Sequence, residues 1–182
     1  WDRILRSCYI KQADVLQGLY FFEDQYDLDT IKRNYDFYEP MTVHESSLSA
    51  CIHSIIAAKL GDEKRSYEFY LSASRLDLDD YNADTDEGLH ITSMGGTWMS
   101  IVQGFGGMRI KKNMLSFSPF IPDKWKSYSF KINFRGHLLK IIINTENVNI
   151  QNDANEPIKL LLFDKPITID ANAEITVNIN NQ

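Results

Sequence analysis

The 182-residue sequence predicts an α + β fold in two parts, helical hairpins followed by a small antiparallel β-sandwich. Two observations carry this. Apolar residues recur at three- and four-residue spacing up to about residue 110, then alternate singly from about residue 113 onward. Helix caps and stops punctuate the first stretch, whereas Gly, Asn and Asp turn signals recur roughly every ten residues in the second. The boundary is placed between residues 112 and 113. A composition of 43% hydrophobic and 24% charged residues is that of a chain able to bury a core.

The elements follow in order. Residues 13–22 (ADVLQGLYFF) form a first helix. Asp27 or Asp29 opens a second, with Ile31, Tyr35 and Tyr38 on one side and Pro40 as its stop. Leu48, Ile52, Ile55, Ile56 and Leu60 mark a third helix, capped by Ser46 or Ser47 and ended by Gly61 in a left-handed turn. Asp62 caps a fourth, with Tyr67, Tyr70, Leu71 and Ser74 sharing a face. A fifth spans about 95 to 104. Short connections make successive helices antiparallel, as in α/α bundles, toroids or solenoids, and no residue-level repeat is present. Residues 105–128 read as a connector. Strands follow at 130–134, 138–144, 148–151, 158–163, 167–169 and 175–179.

The formal net charge is −6, which argues against a role built on nucleic-acid phosphates. No run of about 18 apolar residues occurs, so no membrane span is expected, and no signal region opens the chain. Cys8 and Cys51 sit among apolar residues and read as buried thiols in a reducing, cytoplasmic setting.

Chemistry-bearing residues cluster in three segments. Lys11-Gln12 precedes a helix, and taken alone is a solvated helix end. Thr42-Val43-His44-Glu45-Ser46-Ser47 is either an N-cap cluster or a helix start that offers N–H groups, hydroxyls and His44 to an anion or sugar. Asp84 to Trp98 (DTDEGLHITSMGGTW) holds Glu87, His90, Thr92, Ser93, Met94 and the pair Gly95-Gly96. Its composition is that of an oxyanion cradle at a helix start, without the Lys-[Ser/Thr] ending of a P-loop, and plain packing explains the glycines equally well. His44, His53 and His90 are not at metal-ligand spacing, and His53 reads as a core histidine.

Together the ordered strings YEPMTVHESSLSACIHSIIAAKLGD (Tyr38–Asp62) and DLDDYNADTDEGLHITSMGGTWMSIVQGFGGMRI (Asp77–Ile110), with Lys11-Gln12-Ala13-Asp14 upstream, resemble the glycoside hydrolase family 65 phosphorylases. The resemblance covers nearly the whole chain. It implies an (α/α)6-barrel catalytic domain, of which residues 1–112 would be the C-terminal part, and a C-terminal β-sandwich over residues 113–182. It implies a glycosyltransferase acting on hexosyl groups, cleaving a maltose-like α-glucoside with inversion. Phosphate is the nucleophile, β-glucose 1-phosphate the product, and no cofactor takes part.

By the same resemblance Lys11 and Gln12 hold the glucose, and His90, Thr92, Ser93, Met94 and Gly95 hold the phosphate. Ser93 and the Gly95 backbone are the foremost of these. His44, Glu45, Ser46 and Glu87 are further pocket candidates. The family's general-acid Glu lies upstream of the Lys-Gln pair, and none of the ten residues before Lys11 is Glu. The chain, opening on Trp1, is therefore expected to be a piece of a longer enzyme, inactive alone, whose parent is a homo-oligomer, a dimer. Two rivals remain: a family 65 hydrolase using water through a carboxylate such as Glu45 or Glu87, and a non-catalytic structural or carbohydrate-binding module.

Overall fold

The computed structural model describes residues 2, 6–80, 83 and 85–179; the side chain of Glu87, with Trp1 and Asp84, lies outside the described set. The chain divides into two compact units, Trp1–Gly104 and Phe105–Gln182.

Among the described residues the first unit holds five α-helices: α1 (Asp14–Phe21), α2 (Leu28–Tyr38), α3 (Ser49–Lys59), α4 (Glu63–Ser74) and α5 (Ile91–Met99). Two helix starts are capped as the sequence predicts. Asp27 accepts the Thr30 amide at 2.6 Å, and Asp62 accepts the Arg65 amide at 3.0 Å. Gly61 takes a positive φ of 78° where α3 ends. The start of α3 differs from expectation. The helix begins at Ser49 behind Leu48 with no side-chain cap, because Ser46 spends its hydroxyl on the Leu48 amide one step earlier.

α3 is buried on every side, its Cys51, Ile52, Ile55 and Ile56 all at 5% exposure or less. A helix apolar all round belongs inside a core. Leu16 and Leu19 of α1, Ile31 and Tyr35 of α2 and Phe69 of α4 pack around it. α4 presents Ser66, Phe69 and Ala73 inward rather than the expected Tyr67–Leu71 face. The reason is close approach. The Ser54 hydroxyl donates to the Ser66 carbonyl at 2.9 Å and the Ser66 hydroxyl returns to the Ser54 carbonyl at 2.8 Å, a buried pair of bonds only small residues permit.

α5 corrects the sequence reading most. It starts at Ile91, not near 95, and runs on as a π-helical stretch over Ser100–Phe105. Gly95 and Gly96 therefore lie inside a helix. Gly96 is needed there, since a Cβ at this position would stand 2.8 Å from the Cys51 Cβ. Cys51 itself is buried as predicted, but Cys8 is exposed, and both thiols are free.

The second unit holds eight strands in two four-stranded sheets, β1 (Arg109–Lys111), β2 (Met114–Phe117), β6 (Ile158–Leu162) and β7 (Lys165–Ile169) in order β1-β2-β6-β7, and β3 (Ser127–Phe134), β4 (His137–Asn144), β5 (Asn147–Asn152) and β8 (Ala173–Asn178) in order β3-β4-β5-β8. Alternation places Leu139, Ile141 and Ile143 of β4 and Val148 and Ile150 of β5 fully inside. β1 and β2 fall in the segment read as a connector. Their short, Lys- and Asn-rich run hides the pattern, and a tight turn with positive φ at Lys112 and Asn113 joins them.

The sheets are not wholly antiparallel. β2 pairs with β6 in parallel, Ser116 opposite Leu161, because the chain leaves the first sheet to build β3–β5 before returning. Asn152 is buried at the end of β5 as a hub. Its amide donates to the Glu156 and Asp170 carbonyls at 2.8 and 3.0 Å, and its oxygen accepts the Ala154 amide at 3.2 Å.

Candidate functional site

In the first unit the segment before α1 pairs with the entry to α3, and the entry to α3 lies near the start of α5. A parallel bridge pairs Ile10 with Thr42: the Ile10 amide donates to Met41, and the Val43 amide to Ile10, each at 2.9 Å. This sets Lys11-Gln12, at the head of α1, beside the strand-like entry to α3. Gly96, in the second turn of α5, seats on Cys51 in the first turn of α3, and Ser93 lines one cavity with Ser46 and Ala50. Residues more than thirty positions apart are thus brought together near the positive ends of the α3 and α5 dipoles, although the Ser49, Ser93 and Met94 amides there are already bonded within the chain.

Lys11 is exposed there, and the Gln12 amide donates to Asp14 at 2.8 Å. On α5, Ser93 turns inward and its hydroxyl donates to the Ala73 carbonyl at 2.7 Å. Thr92, Met94 and Gly95 lie on the exposed face. Glu45 is exposed. Glu87 ends a short 3-10 turn over Thr85–Glu87.

His90 is anchored by a residue that no local sequence pattern singles out. One Asp77 oxygen accepts the His90 amide at 2.9 Å and the other accepts the ring Nδ1–H at 2.6 Å. The bond from the His90 ring holds the Asp77 carboxyl below the usual carboxylate range. Asp77 sits in the acidic run LDLDDYNADTDE, which in sequence looks like a solvated loop.

A cavity of about 240 Å³ opens beside the entry to α3, lined by His44, Ser46, Arg65, Glu68, Phe69 and Ser93 among others. It brings together His44, Ser46 and Ser93 from the predicted set, while His90, Thr92, Met94 and Gly95 stand outside its lining. Arg65 was not foreseen. It forms ion pairs with Glu39 and, at 2.9 Å, with Glu68, and its guanidinium lies 4.4 Å over the Phe69 ring.

His44 holds a positive φ of 60° and meets His53 edge-on, ring centroids 4.6 Å apart, with Phe69 at 5.2 Å. His53 Nδ1–H donates to the Ser49 carbonyl at 2.9 Å, and the Ser49 hydroxyl lies 3.3 Å from His44 Nδ1. Burial holds both imidazoles below their ordinary range, His53 down to about 4, with the nearby Arg65 charge acting in the same direction. Both histidines are therefore neutral at pH 7. His53 is the core histidine expected, though its Nε2 makes no hydrogen bond.

Comparison with known proteins now identifies the assembly. Residues 1–99 match the family described as glycosyl hydrolase family 65 central catalytic domain, and residues 108–169 match that family's C-terminal domain. A maltose phosphorylase of Bacillus subtilis is 50% identical over 96% of this chain and 23% of its own length. An alpha,alpha-trehalose phosphorylase of Geobacillus stearothermophilus is 43% identical over 92% of the chain and 22% of its own length. A solved structure carrying the name kojibiose phosphorylase, from the human microbiome, superposes with a TM-score of 0.90 at 41% identity, covering 97% of this chain and 26% of that one. The chain thus spans under a third of the length of the relatives it matches. On these matches the chain belongs to glycosyl hydrolase family 65, with segments of both its central catalytic domain and its C-terminal domain.

Proposed function

We propose that this chain is the C-terminal part of an inverting disaccharide phosphorylase that cleaves a maltose-like α-glucoside with inorganic phosphate, releasing β-glucose 1-phosphate in the cytoplasm. The observation that carries the reading is 50% identity to a maltose phosphorylase along 96% of the chain. The helices of the first unit are the last hairpins of an (α/α)6 barrel, and the two sheets are its C-terminal β-sandwich.

The geometry supports the chemistry. An inverting displacement needs an attacker on the face of the sugar opposite the leaving oxygen. Phosphate is already anionic and needs no protein base, only positive or N–H-rich surroundings. Lys11 and the positive ends of the α3 and α5 dipoles offer positive surroundings. On the resemblance, Lys11 and Gln12 hold the glucose and the segment of His90, Thr92, Ser93, Met94 and Gly95 holds the phosphate, with the Ser93 hydroxyl already given to Ala73 and Gly95 lying inside α5. His44 and Ser46 line the cavity beside them. Glu45 and Glu87 stay further pocket candidates, each as a helix cap or an orienting carboxylate, and a Glu from a segment preceding Lys11 protonates the leaving oxygen.

The full-length protein that carries this chain is expected to release glucose 1-phosphate from maltose only when phosphate is present, while the 182-residue chain alone is inactive. Chromatographic assay of both products checks this. Glucose release indifferent to phosphate would replace the reading with hydrolysis, and activity of the isolated chain would show that the acid lies within it.

A further inference from the structure

We propose that Asp77 is a positioning residue that holds His90 as a cationic donor to the anionic co-substrate, acting through the imidazole rather than by touching the ligand. The inference rests on the phosphate reading of the segment 90–95.

The run from Asp77 to Glu87 carries several carboxylates, and the structure separates their tasks. Asp79 is paired with Arg75 at 2.5 Å. Asp80 takes the amide and hydroxyl of Thr85 at 3.1 and 2.8 Å, shaping the loop. Asp77 is different: both its oxygens are committed to one residue, His90, and only 12% of its side chain is exposed. An ionised carboxylate only accepts hydrogen bonds, so the ring atom at 2.6 Å is a protonated Nδ1. This fixes both the tautomer and the ring plane. Any contact the ring makes with a ligand then goes through Nε2.

The charge argument fixes what Nε2 does. A carboxylate beside the start of α5 opposes an incoming anion, because it takes up the favourable end of the helix dipole. If His90 were neutral, Nε2 would offer only a lone pair, and the pair would carry a net negative charge facing phosphate. With His90 protonated, the pair is neutral, Nε2–H is a charge-assisted donor, and the anion sees the near side of an imidazolium whose far side is compensated. The backbone bond from His90 to the same carboxylate anchors this arrangement to the first turn of the helix.

The test uses the full-length protein and inorganic phosphate as the probe, followed by calorimetric binding and by the separate KM values for phosphate and disaccharide. Asp77→Asn keeps an oxygen acceptor but removes the charge. It is expected to weaken phosphate binding at least tenfold and raise the phosphate KM likewise, with the disaccharide KM within twofold of wild type. His90→Ala should lose as much, and the double variant no more than His90→Ala alone, since Asp77 works through His90. Asp77→Glu, which restores the carboxylate, should recover most of the affinity and carries the test if Asp77→Asn fails to fold.

Full additivity of the two losses, equal damage to both KM values, or Asp77→Glu no better than Asp77→Asn would each overturn the proposal. A His90→Ala variant that binds phosphate normally while the wild type still consumes it would also overturn it and leave the phosphorylase reading standing. A wild type that neither binds nor consumes phosphate would sink that reading, and this inference with it.

Discussion

The histidines divide by environment. His90 is tied to a carboxylate at 2.6 Å, while His44 and His53 meet edge-on beside Phe69, whose ring carries the Arg65 guanidinium. The buried pair has a consequence for stability. Below its ordinary value of 6.5 the unfolded chain binds a proton that folded His53 does not take up until about pH 4. Stability therefore falls as pH drops through that window, and is fully present above it. The His53 contribution to that fall is about 2 kcal/mol between pH 7.5 and 5. Urea titrations of wild type and His53→Gln at the two pH values check this: the variant's loss should be smaller by that amount. An unchanged difference would mean that His53 is solvated or paired in solution.

At the scale of elements, the decisive contacts come from small or polar residues at close approaches. Gly96→Ala would press a methyl against Cys51 at 2.8 Å, and repacking of α3 against α5 is expected to cost about 1–3 kcal/mol. Gly95→Ala, in open space, should be neutral or stabilising by up to about 1 kcal/mol, because alanine is the better helix former. Thermal melts of the two variants should therefore move in opposite directions. In the second unit Asn152→Ala removes the partner of two carbonyls and one amide at partly buried positions, with an expected loss of about 1–3 kcal/mol in urea unfolding. A loss below 0.5 kcal/mol would mean that water replaces the hub.

The elements also mark where sequence legibility ends. Strands β3–β8 and the caps at Asp27 and Asp62 were readable, because alternation and N-cap chemistry are local. The start of α5 was not. Two adjacent glycines argue for a loop by propensity, and only their neighbour Cys51 explains why a helix tolerates one of them. The parallel pairing of β2 with β6 was equally hidden, since period-2 alternation is blind to strand direction.

At the scale of the whole molecule, α5 and Leu89, two residues before it, carry a row of exposed apolar side chains: Leu89 and Ile91 at 63% and 69%, Met94 and Trp98 each at 47%. Among the described residues no helix is long and apolar enough to cross a membrane. A contiguous apolar row of this size marks a contact surface. The isolated chain is therefore expected to self-associate, with sedimentation coefficients rising with concentration. Ile91→Lys with Trp98→Gln should abolish that rise, and a concentration-independent monomer for the wild type would remove the basis for it.

By itself the sequence determined the two-part organisation, the helix and strand periods, the family, and the segments where chemistry gathers. Each is encoded in residues close together along the chain. Only the tertiary structure decided that Lys11-Gln12 lies beside Thr42, that Ser93 faces Ala73 rather than the exposed side, and that Asp77, out of a run of look-alike carboxylates, grips His90. Such pairings join residues more than ten positions apart. They are fixed by how helices pack and not by any local pattern, so a run of acidic residues reads as uniform until the fold gives one of them a partner.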